Sequence, residues 1–121
     1  MEKLNKFTKI FKKIYYETFI ENFKGKLQLN FPSNYHRWDL VKYLIDKYKY
    51  SDYLEIGCDQ DQLFSKVLIQ NKIGVDPVSG GNVRKTSDDF FKDNNRKFDI
   101  VFIDGLHTYE QVKKDILNST N

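Results

Sequence analysis

Three carboxylates in this 121-residue chain stand where an apolar run stops. Glu55 lies in Tyr53-Leu54-Glu55-Ile56-Gly57-Cys58-Asp59, Asp76 ends Gly74-Val75-Asp76, and Asp104 ends Phe102-Ile103-Asp104. His107 follows Asp104 by three residues. Acids gathered at strand ends form a mouth that suits a cation and a ribose diol. Asp76 falls 21 residues after Glu55, where an acid takes the ribose hydroxyls in nucleotide-binding sheets. His107 is a candidate general base on a substrate hydroxyl. With Asp104 it is also a candidate pair for a divalent cation. Gly57 alone is a weak remnant of a glycine-rich fingerprint. Asp59 and Asp61 occupy the turn where a dinucleotide would set its pyrophosphate, and their charge would repel it. The expected guest is a cationic, nucleotide-like cofactor.

Positioning such a mouth takes a parallel sheet. Tyr53 to Gly57 reads as strand one. Asp59 to Gln62 then reads as the start of a helix burying Leu63, Phe64, Val67 and Leu68. Asn71 to Asp76 is strand two, Val83 to Thr86 a short third, and Phe98 to Asp104 a fourth. The apolar, β-branched run Ile100-Val101-Phe102-Ile103 is the strongest of them. Ser87 is the expected cap of a short helix. Thr108-Tyr109-Glu110-Gln111 reads as a capping box opening a helix over 108–118, with Tyr109, Val112 and Ile116 inward. A helix over about 35–49 precedes strand one; it follows helix-start residues Ser33 and Asn34 and carries Trp38, Leu40, Val41, Leu44, Ile45 and Tyr48 on one face. Alternating strands and helices imply a Rossmann-like α/β fold with its ligand beyond the strand ends. The expected strand order is 3-2-1-4.

Residues 1–30 form a separate, basic amphipathic segment, with Leu4, Phe7, Phe11, Ile14 and Tyr15 on one helical face. The expected domain is residues 31–121. Residues 1–50 carry eleven Lys or Arg against five Asp or Glu, and residues 51–121 carry nine against twelve. The single cysteine, Cys58, excludes an internal disulfide and a zinc-finger framework. No apolar run is long enough to span a membrane, and no secretory signal is expected. The expected location is cytoplasmic, and no nucleic-acid partner is expected.

Tyr53 to Gly57, Ile73 to Pro77 and Phe98 to Tyr109 resemble successive motifs of class I S-adenosylmethionine-dependent methyltransferases. The Ile-Asp-Gly-x-His-x-Tyr pattern at 103–109 is similar to the methyltransferase domain family numbered twenty-four. That resemblance implies a transferase using S-adenosylmethionine on a small-molecule or sugar hydroxyl. It implies Glu55 and Gly57 at the methionine part of the cofactor, Asp76 at the ribose, Ser87 and Asp88 beside the adenine, and Asp104 under the sulfonium or at the substrate. Asp104 and His107 are then the catalytic candidates, with a divalent cation between them as the alternative use. The chain supplies four expected strands where the family has seven, so a domain truncated after the fourth strand is expected. Its open edge at 98–104, or the N-terminal helix, would then meet a second copy or a partner. A non-catalytic Rossmann-like binding or assembly module is the alternative function. A nicotinamide-dependent oxidoreductase is the weaker third, against which Asp59 and Asp61 count.

Overall fold

A computed structural model describes residues 34–120. The basic segment expected over residues 1–30, and Ser33, lie outside the described residues. Asp52–Ile56 (β1) is the central strand. Asn71–Val75 (β2) and Ile100–Ile103 (β3) pair with it on either side, both parallel. Arg37–Tyr48 (α1), Ser87–Asp93 (α2) and Tyr109–Ser119 (α3) complete the elements.

The Rossmann-like α/β character holds, and the sheet runs β2-β1-β3, which are the expected strands two, one and four; the expected third strand does not form, so the full order 3-2-1-4 is not confirmed. The strand expected over 83–86 is a single parallel bridge between Val75 and Val83. Its shortness has a local cause. Gly80 and Gly81 take positive φ of 64° and 62° and fold the chain back sharply, so that Asn82 N and Val83 N both reach Gly74 O at 2.9 Å. Arg84 then turns to the carbonyls of Asp76 and Gly80 instead of extending a strand.

Period-two alternation divides the core between the two sheet faces. Tyr53, Ile100 and Phe102 point to one face, with Val41 and Ile45 of α1 and with Cys58, Leu63, Phe64 and Val67. Leu54, Ile56, Val75, Val101 and Ile103 point to the other, against Phe90 of α2. β1 is buried from Tyr53 to Ile56, as expected of a central parallel strand.

The helix expected after β1 is replaced by a run of turns over 59–66. Asp59 and Asp61 sit at φ of 45° and 59°, in the left-handed region, which interrupts a right-handed helix. Leu63, Phe64 and Val67 still reach the core, whereas Leu68 is exposed. In α1, Val41 and Ile45 are buried but Leu40 and Tyr48 face outward. Its cap is His36, whose N–H meets Asp39 Oδ2 at 2.9 Å. The cap of α2 is Thr86, one residue before the expected Ser87; its hydroxyl accepts from Asp89 N.

The inward face expected for α3 is also corrected. Tyr109 and Ile116 are exposed, and the side turned inward carries Gln111 and the buried Asp115. Val112 is half-buried, and Gln111 and Lys114 bond to Ser87 and Asp88 of α2.

Candidate functional site

The C-terminal ends of the three strands open into one cavity of about 850 Å³. Every sequence-predicted site residue lines it: Glu55, Gly57, Asp76, Ser87, Asp88, Asp104 and His107.

Glu55 lies at the floor and is 2% exposed. Tyr53 shares its face of β1, one pleat earlier, and its hydroxyl donates to Glu55 Oε2. Burial pushes the Glu55 carboxyl up to about 7, against the opposing pull of that hydrogen bond and of the Arg37 charge. Burial likewise drives the Tyr53 hydroxyl far up, aided by Glu55. Cys58 is buried too, and burial together with the nearby acids pushes its thiol up to about 12. A thiol so held is a poor nucleophile.

Gly57 is required by close approach as well as by its φ of 84°. A Cβ there would stand 2.4 Å from Asp104 O and 2.5 Å from Gly105 Cα. The missing side chain lets the ends of β1 and β3 lie together, with Asp104 N donating to Ile56 O at 2.8 Å.

Asp76 ties the cavity wall together. Its Oδ2 accepts the N–H of Cys58 at 3.1 Å and of Asp59 at 3.0 Å. Its Oδ1 accepts those of Val78 at 2.8 Å and Ser79 at 2.9 Å. Burial raises its pKa, but these backbone donors outweigh burial and hold the carboxyl below its ordinary value. The loop beyond it is pinned by Asp61, whose Oδ1 accepts Gly81 N at 2.6 Å.

Asp104 faces two basic groups. Arg37 Nη1 donates to its Oδ2 at 2.7 Å, across 67 residues of chain. His107 Nε2 stands 3.7 Å from its Oδ1. Ser87 and Asp88 open α2 on the opposite wall. Gln111 Nε2 reaches Ser87 Oγ and Asp88 Oδ1 at 3.1 Å, and Asp115 Oδ1 at 3.0 Å. Lys114 donates to Asp88 Oδ2, and this bond and Gln111 lower the Asp88 pKa. The capping-box reading of Gln111 holds for its backbone N–H, which meets Thr108 Oγ1 at 3.3 Å; its side chain is spent on α2.

Among the wall residues not assigned to the site from sequence, Arg37 and Gln111 bond directly to predicted ones. Arg37 opens a surface helix, and nothing in its neighbourhood signals a partner at Asp104. Among the described residues, no group of three or more His, Cys, Asp or Glu is placed to hold a metal ion, so Asp104 and His107 have no third ligand of those types there.

Against known families, residues 56–121 match the profile of one described as a methyltransferase domain. That is more than half of the chain. The chain belongs to this methyltransferase domain family. The matched span runs from the last residue of β1 through α3. The methyltransferase domain so defined takes in Gly57, Asp76, Ser87, Asp88, Asp104 and His107, while Arg37 and Glu55 precede it. No curated protein and no solved structure matches the chain.

Proposed function

We propose that the cavity at the strand ends binds S-adenosylmethionine and serves methyl transfer to a hydroxyl of a small molecule or sugar. The observation that carries this is the chemistry of the donor set. Among the described residues, five acids, Glu55, Asp59, Asp76, Asp88 and Asp104, line the cavity against a single Arg or Lys, Arg37, an excess of negative charge fit for a cation. The N–H donors of Cys58 and Asp59, which a pyrophosphate would need, are already held by Asp76. That arrangement favours a cationic cofactor without phosphate over a dinucleotide. The cavity volume falls in the range of about 300–1,000 Å³ usual for ligand sites.

When bound, S-adenosylmethionine supplies a methyl group activated by a sulfonium charge. Glu55, Gly57 and Asp104 would hold its methionine part, Asp76 would stand beside the ribose, and Ser87 and Asp88 would face the adenine. Glu55 meets the positive charge when ionised. His107 accepts the proton of the acceptor hydroxyl, and Asp104 steadies the imidazolium that results. Alignment of hydroxyl and methyl within the cavity supplies much of the acceleration.

Thermal unfolding tests the cofactor assignment. S-adenosylhomocysteine at about a hundred times its dissociation constant adds about 2.7 kcal/mol of stability and should raise the midpoint, whereas NAD should leave it in place. A shift with NAD and none with S-adenosylhomocysteine would reverse the assignment.

A further inference from the structure

Arg37 is the one Lys or Arg among the described residues lining the cavity. It reaches in from the first residue of α1. Its bond to Asp104 occupies a single Nη1 donor, whereas a guanidinium offers a planar fork of several N–H groups. Its side chain is 43% exposed. Among the described residues, the rest of the fork has no protein acceptor.

Of the five acids among the described residues that line the cavity, Glu55, Asp59, Asp76, Asp88 and Asp104, all but Asp59 accept hydrogen bonds. Asp76 holds four backbone N–H groups. Asp88 holds Lys114 and Gln111. Glu55 receives the Tyr53 hydroxyl. Asp104 is the partner of Arg37 itself and takes one N–H of its fork. An anion entering the cavity therefore meets a guanidinium with free N–H groups, beside acids of which all but Asp59 already accept hydrogen bonds.

We infer that Arg37 is a specificity-determining residue that receives an oxyanion, a carboxylate or phosphate group, carried by the methyl acceptor. This rests on the methyl-transfer reading above. The open N–H edge donates to the oxyanion in bidentate fashion. An acceptor anchored there presents a neighbouring hydroxyl to the side of the cavity that Asp104 and His107 form.

Acetate and inorganic phosphate are the probes that separate the two oxyanions. The 15N-labelled chain is titrated with each at constant ionic strength, with chloride as the control, and the Arg37 Nε–Hε resonance is followed. The resonance is assigned by its disappearance in Arg37→Met, and independently in Arg37→Lys. The expected result is a saturable change in resonance position with half-saturation at or below about 10 mM, from one anion or both and not from chloride. The anion that saturates first names the class. Arg37→Lys keeps the charge but loses the fork, and binding of the same anion, followed by calorimetry, should weaken about tenfold. An Arg37 resonance unmoved by either anion, or moved equally by chloride, overturns the proposal and leaves Arg37 as the counter-ion of Asp104. A parallel titration with S-adenosylhomocysteine separates the two readings. If it binds while the oxyanions do not, this inference alone falls. If it does not bind, the cofactor assignment falls, and the acceptor role of Arg37 falls with it.

Discussion

The Asp76 carboxylate accepts the backbone N–H of Cys58 at 3.1 Å, and so ties the end of β2 to the turn after β1. The same carboxylate takes Asp59 N and, through its other oxygen, Val78 N and Ser79 N. One side chain thus shapes two loops of the cavity and removes the anion-binding character of the first. Replacing it by alanine leaves these N–H groups without their acceptor, at about 1–3 kcal/mol for each that stays dry. With water reaching some of them, Asp76→Ala should lose about 2–4 kcal/mol in urea denaturation near neutral pH. The Asp76 pKa is lowered on folding, so its stabilisation is present above the unfolded pKa and is lost as pH falls through the folded one. The gap between wild type and variant should therefore narrow in acid. A gap that is absent at neutral pH, or that is unchanged in acid, would contradict the role.

Glu55 works in the opposite sense. Its pKa rises on folding, to about 7, so the native state binds more protons than the unfolded chain between the two values. Stability then falls as pH rises through that window. A tenfold difference in proton affinity between the two states is worth about 1.4 kcal/mol. Between about pH 5 and pH 8 the wild type should lose about 2–3 kcal/mol relative to Glu55→Gln. Parallel stability curves for the two proteins would show that Glu55 titrates normally.

Gly57→Ala combines a left-handed backbone, about 1–2 kcal/mol for a residue with Cβ, with a Cβ 2.4 Å from Asp104 O. The loss should exceed about 3 kcal/mol, or the ends of β1 and β3 must part. Chemical denaturation gives the first, and a changed Gly105 amide resonance the second. An alanine tolerated without either would remove the close-approach argument.

These elements also show what was legible in sequence. The three strands and the acids at their ends followed from short apolar runs, because a buried parallel strand has no other way to be written. Glu55, Asp76 and Asp104 reached one cavity for the same reason, and Ser87, Asp88 and His107, which no strand end signals, line it too. Helical periodicity misled after β1, where Leu63, Phe64 and Val67 kept their burial but left-handed Asp59 and Asp61 removed the helix. It misled again in α3, where Tyr109 and Ile116 are exposed and the polar Gln111 meets Ser87 and Asp88 of α2. The Arg37–Asp104 pair spans 67 residues, and no local pattern encodes a contact at that range.

His107 carries the proton in the proposed reaction. With an acceptor that the wild type turns over, His107→Ala should lower kcat by about 10²–10⁴-fold, the usual worth of a general base. Affinity for S-adenosylhomocysteine, measured separately, should hardly change. A loss confined to cofactor affinity would make His107 a wall residue instead.

The central claim is that the strand-end cavity takes S-adenosylmethionine through its acids. Calorimetric titration of the 121-residue chain with S-adenosylmethionine measures it directly. Saturable one-site binding is expected, with a dissociation constant below about 1 mM, weakened about tenfold or more in Asp104→Asn. No heat at millimolar ligand, or binding indifferent to Asp104→Asn, would contradict it.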